Sequence, residues 1–422
     1  MSNIPDKFIV SAPGKVILFG EHAVVYGKSA IAGCLDGLRT YIIFEKRLDG
    51  YIELNLPDLE LGHPLLWPIS AFTSMKKYSS KGGNCDDEPL FNEELFQAIK
   101  PFVHEGNKRN EDEQKLDHLQ QVAASAFLYL FASIEDKRAL WSGISIYVSS
   151  DLPVGAGLGS SATYSVCLAT GLLLVLGHIS IPNNSSNQDD EKTDTSAAKL
   201  INQWAYQAEK VIHGRPSGID NSVATYGGAV LYKSGKIEPI KDFHSIRFIL
   251  TNTKVPRNTL TQVANVRIRH DKFPQIIDPI LDAIENISVS LKEILKKLDK
   301  IDISEFYEKI GEFIDINHHL ANSLGVGHHS LDKICEITAD YKLHSKLTGA
   351  GGGGCALTLI REDVSDSELS KVIISLESIG YKCYISNVGG PGVGVIDVTN
   401  MINLKELLGS KTRPTVGWRY FN

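Results

Sequence analysis

Three glycine-rich runs, one lysine and two carboxylates are the residues of this sequence whose types and spacing could do chemistry. Gly155-Ala156-Gly157-Leu158-Gly159-Ser160-Ser161 joins an alternating apolar pattern (Ile144, Ile146, Val148) to a long apolar helix pattern. Three glycines let the backbone curl so that successive N–H groups converge, and a helix N-terminus adds its dipole; together they favour a phosphate group. Ser160, at the helix start, either caps the helix or offers its hydroxyl to a metal ion. A plain glycine-rich turn with a serine cap is the competing account. The run is no Walker A loop, because it lacks the Gly-Lys-Ser/Thr ending, and no dinucleotide fingerprint, because Ser160 stands where the last glycine belongs. Gly349-Ala350-Gly351-Gly352-Gly353-Gly354 does fit G-x-G-x-x-G, but a strand pattern follows it instead of a helix, so the dinucleotide reading fails on context. Five glycines in six residues raise the entropy cost of folding, which a bare turn does not require and a closely approaching ligand does.

Ser11-Ala12-Pro13-Gly14-Lys15 predicts a strand ending in a rigid turn that carries a lysine, with Glu21-His22 one strand later. A solvated lysine and a core histidine are the bland alternatives. Glu209 flanks the apolar face of a helix marked by Ile201, Trp204, Ala205, Ala208 and Ile212, where a solvated glutamate is as ordinary as a ligand. Asp220 follows the turn Pro216-Ser217-Gly218 at a helix start, where a carboxylate is either a cap or first-turn charge or a reacting group. The pairs His318-His319 and His328-His329 lack an H-E-x-x-H pattern or a cysteine pair and are read as surface or helix-end histidines.

The elements that must position these residues come from 422 residues, of which 43% are hydrophobic and 22% charged, enough apolar side chain for a sizeable core. The length predicts about two domains. A net charge of −7 and a pI near 6.0 lack the basic balance of a nucleic-acid binder. Six cysteines without a C-x-x-C pair predict reduced thiols. Met1 to Lys7 has no apolar core of a signal peptide, and Ala162–Gly177 is too short and polar to span a bilayer; a cytoplasmic protein with no membrane partner is the expectation. A hairpin is predicted at Asp49-Gly50, between Tyr41–Phe44 and Tyr51–Leu54. Residues 76–89 and 104–118 are polar surface insertions, and 183–196, which hold no apolar side chain, predict a mobile insertion outside the site. Helices are predicted over 277–299, 303–324, 330–342 and 365–379, strands at 357–360 and 381–388, and for this second half an α+β sandwich with its own core.

Taken in order, the glycine-rich blocks resemble those of the GHMP kinases. The first is Ala12-Pro-Gly-Lys-Val-Ile-Leu-Phe-Gly-Glu-His22, the second Gly155–Ser161 and the third Lys346-Leu-Thr-Gly-Ala-Gly-Gly-Gly-Gly-Cys355. Ala208-Glu209 through Asn221 and Asn252-Thr-Lys-Val-Pro-Arg-Asn-Thr259 place the likeness nearest to the mevalonate-phosphorylating members, over about residues 8–395. The resemblance implies a two-domain α+β fold: a ribosomal-protein-S5-like N-terminal half (1–240) that binds nucleotide, a ferredoxin-like C-terminal half (241–396), and residues 397–422 packing back on the first. It implies ATP and mevalonate as substrates in isoprenoid and sterol synthesis. The Gly155, Ala156, Gly157, Leu158, Gly159, Ser160 and Ser161 backbone would wrap the ATP phosphates, and Ser160 and Glu209 would bind Mg²⁺. Asp220 would face the C5 hydroxyl of mevalonate, as base or as orienting group, with Lys15 between it and the γ-phosphate. Glu21, His22, Arg257, Thr259, Gly349 and Ala350 would line the substrate pocket, with orientation of Lys15 or His22 as the alternative role for Glu21. A homodimer and inhibition by isoprenoid diphosphates are further implications of the family. The rivals are another small-alcohol kinase of this fold and a catalytically inactive ATP-binding regulator, which should have lost Lys15, Glu209 or Asp220.

Overall fold

The turn suggested by Pro13-Gly14 does not end a strand. In the computed structural model, which describes residues 4–78, 89–106, 116–134, 141–153, 155–182, 188–241, 243–399, 401 and 404–421, Lys7–Phe19 is one strand, β1. It runs antiparallel to β2 (Ala30–Arg47), with a register shift between Pro13 and Gly14 where the partner residue jumps from Arg39 to Leu35. Such a bulge bends the strand and re-aims the side chains beyond it, and Lys15 is the next residue. Gly14 is glycine for a steric reason: a Cβ there would lie 2.5 Å from Leu152 Cδ2.

The hairpin at Asp49-Gly50 does not form. β3 (Tyr51–Asn55) pairs with β4 (Leu65–Pro68), and after α1 (Glu93–Glu105) and α2 (His118–Ser133) the strand β5 (Gly143–Ser150) enters between β2 and β3. The alternation of Ile144, Ile146 and Val148 fits an interior strand better than Tyr51–Asn55 does, and β5 takes the place beside β2. α3 (Ser160–Val175) is buried from Ala162 to Val175, as its apolar run requires. α4 spans Gln188–His213, so residues 188–196, expected as a mobile insertion, are helix; the earlier part, 183–187, lies outside the described residues. A polar run that continues the helix already nucleated by the 197–212 apolar face needs no core contacts of its own. α5 (Ile219–Tyr226), β6 (Ala229–Lys233) and β7 (Lys236–Pro239) complete this half, with β6 pairing the start of β2.

β8 (Ile246–Asn252) opens the second half and is followed by α6 (Thr259–Lys272), α7 (Pro274–Leu295), α8 (Ile303–Leu324), α9 (His329–Ala339), β9 (Ser345–Thr348), β10 (Cys355–Leu359), α10 (Asp366–Ser378) and β11 (Lys382–Val388). α6 was not legible in the sequence: Val266 is its one buried residue, so it shows no apolar face. The tail returns through β12 (Gly394–Asp397), α11 (Leu404–Gly409) and β13 (Arg419–Tyr420), giving the strand path β13-β12-β1-β2-β11-β8-β10-β9. β11 meets β2 through Val388 and Leu35, joining both halves in one sheet. The second half does have a core of its own, built almost wholly from its residues, such as Ile277, Leu281, Leu331, Leu347 and Leu369, but it also shares one: another apolar cluster combines Val16, Leu18 and Leu35 with Phe248, Leu250, Leu291, Phe306 and Leu357. The described cysteines, Cys34, Cys167, Cys335, Cys355 and Cys383, are free thiols.

Packing of α3 on β2 generates a test. Gly171 faces the ring of Phe44 so closely that a Cβ would collide with it, and Phe44 is itself fully buried. Gly171→Ala gains up to about 1 kcal/mol of helix propensity, whereas overpacking a rigid core costs about 1–3 kcal/mol. Packing should win: the variant unfolds at a lower temperature by calorimetry, and a rise would show that Phe44 yields freely.

Candidate active site

The second glycine block folds as a cradle over the lysine of the first. Gly155, Gly157 and Gly159 have φ of 72°, 75° and 77°, the left-handed region that side chains disfavour. Gly159 occupies the cap position of α3 without any side-chain capping bond, so Ser160 is not the cap. The Leu158 carbonyl accepts from the Lys15 backbone N–H at 2.8 Å, tying the cradle to β1. Beneath it Lys15 Nζ lies 3.0 Å from Asp220 Oδ1; the lysine side chain is 11% exposed and the aspartate 33%. A Cβ on Gly159 would stand 3.5 Å from Lys15 Cβ and 3.7 Å from Asp220 Oδ2, so the loop closes directly on the pair. Asp220 sits in the first turn of α5, behind Gly218, and makes no capping bond; the helix dipole there favours its negative charge.

Glu209 on α4 is buried beside this pair. Its Oε1 accepts from Ser165 Oγ at 3.0 Å and its Oε2 from Ser161 Oγ at 3.4 Å. Burial, then the charge of Asp220, pushes its carboxyl up to about 7. Ser161 Oγ also lies 3.0 Å from His213 Nε2, one turn along α4 from Glu209. The hydroxyl that meets Glu209 is thus that of Ser161, where Ser160 was expected. Successive helical residues point about 100° apart, so only one of the two can face α4. Both serines border the cavity described below, and only Ser161 also meets Glu209. A buried carboxylate next to a hydroxyl and a second carboxylate is a hard-oxygen set suited to Mg²⁺; His213 Nε2 lies 3.9 Å from Glu209 Oε2. Among the described residues His318 and His328 have other duties: His318 is buried and pairs with Asp332 at 3.1 Å, unlike the surface histidine expected, and His328 caps α9.

The third glycine block faces the first across a buried histidine. His22 Nε2 donates to the Ala350 carbonyl at 2.8 Å, and burial holds the imidazole below its ordinary pKa. Arg257 spans the two glycine loops. Its Nη2 donates to the Ala156 carbonyl at 2.6 Å, and a Cβ on Gly349 would stand 2.8 Å from its Nη1. Its Nη1 is buried without a hydrogen-bond partner. Such a donor is costly unless a ligand completes it. Thr259 is exposed at the first residue of α6, behind the Asn258 cap, and is not drawn into this group of contacts. Glu21 pairs neither with Lys15 nor with His22: it forms a buried ion pair with Lys346, and Asn317 Nδ2 donates to it at 3.4 Å. Lys346 was quoted as part of the third block without a role; nothing in a lysine's own sequence neighbourhood distinguishes a buried one from a solvated one.

Next to Ser160 and Ser161 opens an apolar cavity of about 160 Å³, lined by Leu56, Leu59, Leu119, Val122, Val148 and Leu152 with Asp58 at its rim. No single segment of the sequence marks it, because its walls come from separate loops, helices and strands.

Residues 121–228 match the family model of the GHMP kinases N terminal domain, and residues 294–376 that of the GHMP kinases C terminal. The chain is 40% identical over 398 residues to mevalonate kinase of Homo sapiens, covering 94% of this chain and 97% of that protein. It is 42% identical over 393 residues to mevalonate kinase of Bos taurus, covering 93% and 96%. Among solved structures, the Methanococcus jannaschii mevalonate kinase aligns with a TM-score of 0.59 at 26% identity, covering 90% of this chain and 98% of that one.

The raised carboxyl of Glu209 has a consequence for stability. Between its ordinary value of 4.5 and about 7 the folded chain holds a proton that the unfolded chain has lost. Stability from this group is therefore complete below pH 4.5 and falls as pH rises, with the full penalty, on the order of 3 kcal/mol, above pH 7. Glu209→Gln should raise the unfolding temperature of metal-free protein at pH 8 and leave it nearly unchanged at pH 4.5. An equal difference at both pH values would remove the carboxyl from this role.

Proposed function

The chain belongs to the mevalonate kinases of the GHMP kinase family, and from that premise we infer that it transfers the γ-phosphoryl group of ATP to the C5 hydroxyl of mevalonate, giving 5-phosphomevalonate and ADP. The observation that carries this reading is the Lys15–Asp220 pair, 3.0 Å apart and roofed by the glycine cradle. Phosphoryl transfer spreads charge over the γ-phosphate oxygens, so catalysis is mostly positioning and cation placement. Here Lys15 and the N-terminus of α3 supply positive potential where that charge develops. Asp220 orients the C5 hydroxyl and takes its proton as the O–P bond forms. The unpartnered Arg257 Nη1 suits the carboxylate of mevalonate, and His22 with Ala350 and Gly349 forms the wall beside it.

Glu209 and Ser161 would hold Mg²⁺, with Ser160 and the cradle backbone toward the phosphates; the ion would supply charge neutralisation on the β- and γ-oxygens. The apolar cavity beside Ser160 is the place for adenosine, whose faces want apolar walls. In this reading residues 1–240 form the nucleotide half and 241–396 the second half, the tail returning to the first from β12 onward. On resemblance alone the proposal extends to a homodimer, a cytoplasmic location and inhibition by isoprenoid diphosphates. No helix of the described residues is long and apolar enough to cross a membrane. An inactive regulator is disfavoured, since Lys15, Glu209 and Asp220 are present and converge.

A coupled assay of ADP release should show turnover with mevalonate and background with galactose, homoserine and phosphomevalonate; the reverse pattern would assign another alcohol. Asp220→Asn keeps shape but cannot take a proton, so kcat should fall by about 10² or more with ATP affinity changed far less. A carboxylate that served only α5 would instead show near-normal kcat and a lower unfolding temperature. Arg257→Met should raise the KM for mevalonate by roughly 10- to 100-fold, the worth of a charged hydrogen bond, and the KM for ATP by less, because Nη2 also bonds the Ala156 carbonyl of the cradle; an unmoved mevalonate KM would free Nη1 from substrate.

A further inference from the structure

We infer that residues 404–413, which lie outside every catalytic motif, brace the nucleotide side of the active site, and that Lys411 and Arg413 are positioning residues for ATP. The inference rests on the reading of the apolar cavity as the adenosine site. α11 docks on the outer face of the sheet through Leu404 and Leu408, which pack with Ile9, Tyr41 and Ile43. From its end two cations reach the C-terminal end of β5. Arg413 grips Asp151 with a forked contact: Nε lies 3.2 Å from both carboxylate oxygens and Nη2 lies 2.6 Å from Oδ1. Its Nη1 donates to the Leu408 carbonyl at 3.0 Å, and its guanidinium stacks 4.4 Å from the centre of the Tyr41 ring. Asp151 lies four residues before Gly155, so this grip fixes where the glycine cradle leaves β5.

Lys411 does the same for the cavity. Its Nζ donates to Asp58 Oδ1 and to the Ser150 carbonyl, each at 2.8 Å. Asp58 Oδ2 in turn accepts from the Ser150 backbone N–H at 2.6 Å. Asp58 and Ser150, neighbours through that bond, both line the cavity. One ammonium therefore clamps the turn after β3 to the end of β5, reinforcing the pairing of those two strands at the cavity. The backbone adds a second observation. Lys411 has φ of 60° just past the end of α11, the place where helices usually put glycine. Glycine at this position would relax the backbone, so the side chain can be removed without adding strain.

That strain makes the test clean, because Lys411→Gly removes the side chain while relaxing the backbone. We expect its KM for ATP to rise about three- to tenfold, the range of a partly exposed charge-assisted contact, with the KM for mevalonate within about twofold and the unfolding temperature not lowered. Arg413→Met should act in the same direction, and Arg413→Lys should recover part of the loss, since it restores charge without the fork. Val122→Trp, which fills the cavity, tests the underlying reading and should raise the KM for ATP on its own. If Val122→Trp does so while Lys411→Gly and Arg413→Met leave ATP binding unchanged, the brace is wrong and the cavity reading stands. If Val122→Trp is silent, the cavity reading fails and the brace with it. A matched rise in both KM values with a lowered unfolding temperature would make the segment structural only.

Discussion

An ammonium and a carboxylate 3.0 Å apart beneath a glycine loop are worth little as a surface contact. Their value here is that they are held where a phosphate and an alcohol must meet. That placement is the constraint the rest of the structure serves. The register shift at Pro13/Gly14 re-aims β1 just before Lys15, the Leu158 carbonyl anchors that lysine's backbone, and Gly218 starts α5 so that Asp220 falls in its first turn. The cradle can close over the pair only because Gly159 has no side chain to intrude.

Three further charges show how the halves are locked around that pair. Arg257, from the loop after β8, bonds the Ala156 carbonyl of the cradle and lies against Gly349 and Gly354 of the third block. Glu21 and Lys346, from the first and third blocks, pair in the interior. Burying the pair need not stabilise the fold, but removing one partner would leave a charge without water, at about 3–5 kcal/mol. The pair therefore fixes the first block against the third next to His22, whose bond to Ala350 spans the same junction.

What the sequence made legible follows from what each signal is. Glycine runs, apolar periodicity and the fold class rest on local pattern, so α3, α8 and the three blocks were visible before any contact was known. Long-range choices were not. Nothing near Asp49-Gly50 reveals that β5 will displace the hairpin partner, and nothing in residues 188–196 reveals that a helix runs through them. At the site, Ser160 and Ser161 are equivalent in sequence; the azimuth of α3 against α4 separates them. Glu21 was assigned to the substrate pocket because its partner, Lys346, is 325 residues away. The tail's contacts with Asp58 and Asp151 were illegible for the same reason, since charges in a polar segment read as solvated until a neighbour is placed.

The central claim is that Lys15 and Asp220 act as one unit on the transferring group, and a double-mutant cycle on kcat tests it most directly. Lys15→Met, Asp220→Asn and the double variant would be measured with saturating mevalonate and ATP. Groups that work as a unit are strongly non-additive, so the double variant should be little slower than the slower single variant. If the two losses multiply, each residue acts alone, and the pair is not the centre of the mechanism.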